Sequence, residues 1–332
     1  MNITNKYKLP NYVYDWITYD SYDHEEGVIS STKLLSPPRQ FVLMERNKDD
    51  LEIDASDLIA SKYGTAIHDS VEQVKTEGVI KELRLYSTVN IDGEDWRISG
   101  KFDMMADVDK PIQKLVDIKS TSVWTYILGG KDEDYIKQLS VYKYLANRGD
   151  PIIIDGEERK FKVGTYAEIF MVFTDWQSKK AREDPTYPQI RTVIKPIRLW
   201  DDDKTLEYIK ERLRLFRDAR KIPDSELSKC EEKDLWKKPD NWEVRRKGAQ
   251  RATRKCKSEE EARTFLLNNR IENAEVYLNK GEVMRCHYCT VRKYCDQFKE
   301  LFENGYIDKS RMESEEVSKY EQKKRNGQRT LN

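Results

Sequence analysis

The chain has 332 residues, enough for one large domain or for a core domain with an appended module. Its 60 Lys and Arg balance 60 Asp and Glu, which excludes a global basic field, so any surface for nucleic acid must be local. The apolar fraction of 38% is low, yet 11% aromatic residues exclude general disorder, and no apolar run approaches the roughly 20 residues of a membrane span.

The N-terminus MNITNKYKLPNYVYDW lacks the basic and apolar regions of a signal peptide, which places the expected location in the cytoplasm (a host's, if the chain is phage-encoded) with no membrane partner. Residues 1–55 read as a helical cap, broken at Pro37-Pro38. From Ser56, an expected N-cap, SDLIASKYGTAIHDSVEQVK has the apolar spacing of one helix or two short ones, with His68 and Glu72 four apart on one face.

Three strand-like runs follow at 83–91, 96–107 and 114–121, separated by Asp92-Gly93 and Asp109-Lys110-Pro111, and together they predict an antiparallel meander. DEDYIKQLSVYKYLANR predicts a helix that ends at Gly149-Asp150-Pro151. Strand runs at 165–176 and 190–200 flank a polar loop with Pro185 and Pro188, and a helix from about Asp203 to Arg220 closes a core spanning 56–222. A Cys-rich module over 223–304 and a charged tail over 305–332, read as a fraying helix, complete the chain.

Asp103, at a strand end, and Asp117, on the next strand, offer two carboxylates to a divalent cation such as Mg²⁺, which prefers oxygen ligands. Asp117 and Lys119 are two apart on a strand and share a face, so an ammonium stands beside a carboxylate-held metal, where it can orient water or stabilise charge on phosphate. Ile118 points to the opposite face, and its backbone carbonyl can serve as a further ligand. Gln138 and Tyr142, four apart on the following helix, can reach phosphates or bases, and Tyr142 can stack. Such a set suits metal-assisted phosphodiester hydrolysis.

GTAIHDSVE, GKFDMM, VDIKS and QLSVY, in this order and spacing, resemble the motifs of RecB-type nucleases of the PD-(D/E)XK superfamily, a group that includes RecB, AddB, the CRISPR adaptation nucleases and many phage recombination exonucleases. The resemblance runs from about Ile29 to Phe298 and is strongest between Gly64 and Tyr142; no Pro precedes Asp103, where the superfamily name expects one. It implies an α/β restriction-endonuclease-like core, a central mixed sheet flanked by helices. It also implies His68, Asp103 and Asp117 as ligands of Mg²⁺ or Mn²⁺, Lys119 as catalytic lysine, Glu72 as a supporting acid, and Gln138 with Tyr142 as a DNA-contacting pair. The implied activity is a deoxyribonuclease, an exonuclease working from DNA ends in recombination, replication or repair, with a helicase or single-strand annealing protein as a possible partner. A non-catalytic DNA-binding or assembly protein and a site-specific endonuclease are the alternatives.

Cys286-x2-Cys289-x5-Cys295 places three thiols at chelating spacing, and Cys230, Cys256 or His287 can supply a fourth ligand. The spacing resembles the iron–sulfur staple of the same family, although the early cysteine of that staple is missing here. Resemblance to phage members favours Cys230, with Cys256 as the alternative, and implies a [4Fe–4S] cluster of structural role; four thiolates suit Zn²⁺ as well. Arg245, Arg246, Lys247, Arg251, Arg254 and Lys255, clustered before the triplet, form a candidate phosphate-tracking surface.

Overall fold

The computed structural model describes residues 2–20, 25–312, 314, 316–318, 320 and 321. It is a mixed α/β protein that divides into two compact units: Met1–Ser36 with Glu52–Lys221, and Pro37–Leu51 with the chain from Ile222 on. The expected cap over 1–55 is therefore not one piece. Its first 36 residues belong with the core, whereas the helix Pro38–Arg46 is fastened to the C-terminal unit, where Arg39 donates to the Ser228 and Leu227 carbonyls and Arg46 pairs with Asp224.

In the first unit, β1 (Asn2–Thr4) pairs in parallel with β3 (Glu52–Asp54), helix α1 spans Asn11–Thr18, and β2 covers Val28–Ser30. The helix α2 (Ala55–Glu72) is a single 18-residue element. Its N-cap is Asp54 rather than Ser56: the Asp54 carboxylate accepts from Ser56 N (3.0 Å) and Ser56 Oγ (2.7 Å), and equally from Thr4 Oγ1 and Lys6 N (2.9 Å each). One side chain thus satisfies the helix start and ties the first strand to it.

The strands β4 (Val79–Lys81), β5 (Arg84–Ile91), β6 (Glu94–Lys101), β7 (Met104–Ala106) and β8 (Lys114–Thr121) do not form one meander. The run read as one strand at 96–107 divides at Phe102-Asp103: β6 joins a three-stranded sheet of order β2-β6-β5, and β7 joins a five-stranded one. That larger sheet continues through β9 (Tyr166–Phe173) and β10 (Thr192–Arg198), with order β10-β9-β8-β7-β4. It is mixed, because β8 and β9 run parallel while the other neighbours run antiparallel. A parallel neighbour requires a crossover, and the chain supplies it with α3 (Asp132–Arg148). Helix α2 packs on β8, and α3 packs on β5, β6, β8, β10 and the closing helix α4 (Asp202–Arg220). The core between them holds Leu115, Ile118, Leu139, Ile169, Phe173 and Phe216.

In the second unit, β11 (Asn241–Arg246), β12 (Arg254–Cys256) and β13 (Ala274–Asn279) form an antiparallel sheet of order β12-β11-β13, covered by α5 (Glu259–Asn268). The tail expected over 305–332 is described as far as Glu321, and residues 322–332 lie outside the described residues. Among its described residues, Tyr320 is packed rather than frayed: its ring sits 5.3 Å from that of Phe298 and 5.1 Å from that of Phe302.

Burial alone would raise the Asp54 pKa, but the Lys6, Ser56 and Thr4 donors outweigh it and hold the carboxyl at about 2. A depressed carboxyl contributes stability that is full above the unfolded value near pH 4 and is lost as pH falls through about 2. Asp54→Ala is expected to lower unfolding free energy by about 2 kcal/mol at neutral pH, read from urea titration, with the difference from wild type shrinking in that acid window. A deficit that persists unchanged at pH 2 would remove Asp54 ionisation as its cause.

Candidate active site and thiol cluster

The bent ribbon formed by β4–β5 and β6–β7 builds the site. Where it passes from one sheet to the other, Glu82 N donates to Asp103 O (3.0 Å) and Phe102 N to Leu83 O (3.3 Å), so pairing continues through the bend. Glu82 adopts a positive φ of 52°, a conformation that costs a non-glycine residue about 1 kcal/mol or more. The bend turns the Glu82 and Asp103 carboxylates toward His68 of α2: its Nδ1 lies 3.6 Å from Asp103 Oδ1 and 3.9 Å from Glu82 Oε1. Ligand atoms of His68, Glu82 and Asp103 all lie within 4.8 Å of one another, a separation one cation can span.

The other imidazole nitrogen is engaged. His68 Nε2 lies 3.0 Å from Ile118 O, and since a carbonyl only accepts, Nε2 carries a proton and Nδ1 is the nitrogen turned to the two acids. This is the arrangement of a metal-ligating histidine whose second nitrogen is held by a backbone carbonyl. The Ile118 carbonyl, expected as a ligand, accepts from His68, while Ile118 N donates to Asp103 Oδ2 (2.6 Å) and fixes that carboxylate on β8.

Asp117 and Lys119 share the face that strand alternation assigns them, and Lys119 Nζ lies 2.6 Å from Asp117 Oδ2. Asp117 is 1% exposed, and apart from this ion pair neither of its oxygens has a hydrogen-bond partner among the described residues. A buried carboxylate so poorly satisfied is a vacant acceptor for a cation. Asp117 falls outside the tight His68–Glu82–Asp103 group but is close enough to act on it: burial, and then the Asp117 charge, push the Asp103 carboxyl up to about 7. Burial works against the Lys119 ammonium, but Asp117 and Asp103 outweigh it and hold its pKa above the ordinary value. The Glu82 hydrogen bond, opposed by burial and aided by Asp103, raises His68.

The carboxylate beside His68 is Glu82 and not Glu72, which lies exposed one turn further along α2. Gln138 Nε2 donates to the Tyr142 hydroxyl (2.8 Å). Tyr142 is 4% exposed, and its ring lies where a side chain on Gly100 would stand, 2.7 Å from that position. Buried to this extent, the ring is not open to a base in this structure; the Asp117 and Lys119 charges both act on its phenol.

In the second unit Cys230, Cys286, Cys289 and Cys295 line one cavity, together with Arg39 and Arg285. Cys256 is elsewhere, buried in the apolar core under α5 with Val244 and Ala262. Burial, and then the neighbouring thiols, push Cys230 and Cys286 up to about 12, so without a metal they stay protonated. Arg39, 4% exposed, bonds the Leu227 and Ser228 carbonyls and lies 4.0 Å from Cys295 Sγ, with no carboxylate in ion-pairing reach among the described residues. His287, a possible fourth ligand by sequence, is buried with its Nε2 3.5 Å from Glu282. Of the two arginines expected to meet DNA, Arg245 is tied to Glu243 and Arg246 is exposed at the end of β11.

No protein-family model matches the sequence, and neither does any curated protein. Among solved structures, the crystal structure of SSO0001 matches over 59% of this chain and 79% of its own, at 17% identity and a TM-score of 0.39, a likeness too low to carry an argument.

Because Asp103 must be ionised to hold a cation, Mn²⁺ affinity measured by calorimetry is expected to be steady above pH 7 and to fall as pH drops through it, with up to one proton released per ion bound near pH 7. Glu82→Gln is expected to weaken that affinity at least tenfold, and Glu72→Gln to leave it within about twofold. The reverse ranking would remove Glu82 from the site.

Proposed function

We propose that the protein is a divalent-metal-dependent deoxyribonuclease whose first unit is a PD-(D/E)XK-type core. The observation that carries this reading is the convergence, beside one buried aspartate–lysine pair, of an imidazole and two carboxylates from three separate elements. The ligand set fits Mg²⁺ or Mn²⁺: oxygens predominate, and the single imidazole suits Mn²⁺ better. A cation held there supplies Lewis acidity toward the phosphodiester and lowers the pKa of bound water.

The chain's own residues do the remainder. Glu82, Asp103 and His68 form the cradle, and Asp117 offers its unsatisfied oxygens at the rim. Lys119 stays fully protonated, since neighbouring carboxylates raise its pKa, so it acts as a fixed positive charge for phosphate oxygens rather than as a base. Gln138 bonds the Tyr142 hydroxyl, on which the Asp117 and Lys119 charges both act. Resemblance alone supports attack from DNA ends and work beside a helicase or annealing protein.

For the second unit we read a [4Fe–4S] cluster on Cys230, Cys286, Cys289 and Cys295 in preference to zinc. What supports the cluster is the resemblance of the Cys286-x2-Cys289-x5-Cys295 spacing to the family's iron–sulfur staple, with Cys230 lining the same cavity; four thiolates suit Zn²⁺ as well. Arg39 supplies counter-charge to the thiolates.

Purified protein with Mn²⁺ is expected to degrade end-labelled linear duplex or single strand and to spare a closed circle, and Lys119→Ala to reduce cleavage at least 10³-fold with the fold intact by circular dichroism. Undiminished cleavage by that variant sinks the nuclease reading, and cutting of the closed circle makes the enzyme an endonuclease. Anaerobically purified protein is expected to contain four irons and four acid-labile sulfides per chain. Arg39→Gln is expected to lower iron content and to shift the cluster's potential negatively. Stoichiometric zinc without iron would overturn this assignment.

A further inference from the structure

Between Cys230 and the triplet, the chain makes an excursion that the thiol cavity does not need. Residues 241–279 form the sheet β12-β11-β13 with α5, and they have a core of their own: Val244, Cys256 and Ala262, packed by Trp242, Phe265 and Val276. The excursion leaves and returns through one neck, where Lys238 N donates to Glu282 O (3.0 Å) and Gly281 N to Asp240 Oδ1 (2.8 Å). The two strands at the neck approach so closely that a side chain on Gly281 would stand 1.7 Å from Lys238 O. A self-contained module on a tight neck contributes little to holding the cysteines, so its value lies in the surface it presents.

That surface has one distinctive segment. Between Val244 and Ser258 the chain carries seven cations and no carboxylate. Four of them are already used. Arg245 Nε donates to Glu243 (2.9 Å) with its guanidinium over Tyr277, Lys255 pairs with the same Glu243 (3.2 Å), Lys247 pairs with Glu275 (2.9 Å), and Arg254 lies over the Phe265 ring. Arg246, Arg251 and Lys257 are exposed, their side chains with no anionic partner among the described residues; Arg246 ends β11 and Arg251 sits on the loop that joins β11 to β12, whereas Lys257 lies beyond β12. The loop is held in shape: Ala249 N donates to Arg246 O (3.0 Å), Thr253 N to Val244 O (2.8 Å) and Lys247 N to Asn273 O (2.7 Å), while Gly248 takes φ +79° at the turn. Two unpaired guanidiniums on an ordered, acid-free hairpin tip form a site with little ordering entropy left to lose on binding a polyanion.

We propose that the β11–β12 hairpin is a second nucleic-acid contact of this protein, in which Arg246 and Arg251 bind backbone phosphates independently of base sequence. The choice of DNA as the polyanion rests on the nuclease reading; the division of the basic residues does not. It separates Arg246 and Arg251, which bind, from Arg245 and Lys255, which hold the sheet face together over the buried Glu243.

The test uses the full chain in Ca²⁺ or EDTA, with fluorescence anisotropy of labelled duplex and single-stranded oligonucleotides across a NaCl series. The double variant Arg246→Gln, Arg251→Gln is expected to keep the wild-type melting temperature, to lose roughly tenfold in affinity on every sequence, and to flatten the dependence of log K on log salt by about 1.8 on duplex and about 1.4 on single strands. Arg263→Gln, a cation on α5 paired with Glu259, is the control and is expected to leave affinity and slope unchanged. If the double variant fails to fold, Arg251→Ser alone carries the same test, with a duplex slope change of about 0.9. An unchanged slope in the variant overturns the proposal, as does wild-type protein that binds phosphatidylserine vesicles but no DNA. DNA binding that depends on Arg246 and Arg251 in a protein that never cleaves would leave the hairpin standing and remove the nuclease reading alone.

Discussion

A two-stranded ribbon shared between two sheets is the constraint on which the candidate active site depends. In an antiparallel ladder directly opposed residues put their side chains on one face, and the register that pairs Lys81 with Met104 and Arg84 with Lys101 sets Glu82 opposite Asp103. Here both strands bend at the same level, at Glu82 on one and Phe102-Asp103 on the other, and the backbone stays paired across the bend. Pairing already puts the two carboxylates on one side, and the bend turns that side toward His68 of α2. The left-handed conformation of Glu82 is the local cost, and burial of Phe102 at 1% exposure anchors the opposite strand. Asp103 is then fixed a second time, through the Ile118 amide of the central strand, so one carboxylate joins the ribbon to β8.

Electrostatics then distinguishes this cluster from an ordinary surface patch. Two acids near one another in a poorly solvated place cannot both ionise freely, which is why Asp103 rises while Lys119 is held charged. A purely structural Asp–Lys pair would be better served by aligned hydrogen bonds on both oxygens, since removing two charges from water costs more than a single contact returns. Asp117 lacks those bonds. The unresolved negative charge is tolerable when a divalent cation completes it, and this makes the metal reading more economical than a structural salt bridge.

The parts of this arrangement that follow from periodicity were legible beforehand. Asp117 and Lys119 share a face because strands alternate, and His68 lies on a helix because the apolar spacing around it is helical. Glu82 was not legible. It lies between a three-residue strand and an eight-residue one, where a charged residue reads as a turn, and only the sheet switch gives it a role. The resemblance implies Tyr142 as a DNA contact with Gln138, but its ring packs against a glycine 42 positions earlier, and no local pattern reports such a pairing. The split of the N-terminal 55 residues between two units was equally hidden, because Pro37-Pro38 signals a break without saying where the next helix docks.

That docking and the thiol cavity explain one another. A guanidinium 4% exposed, bonded to two carbonyls and a sulfur and with no carboxylate in ion-pairing reach among the described residues, is a buried charge that costs several kcal/mol unless anions lie near it, as Asp234 of the same cavity does. Protonated thiols provide none, and burial favours the protonated form of Cys230 and Cys286. On the cluster reading proposed for this cavity, metal binding would reverse both penalties at once: it would ionise the cysteines, and their negative charge would compensate Arg39. The helix Pro38–Arg46 therefore belongs with the C-terminal unit for a reason of charge as well as packing. On that same proposed reading the fourth sulfur is Cys230, two residues beyond the Ser228 carbonyl that Arg39 grips and in the same cavity as the other three thiols.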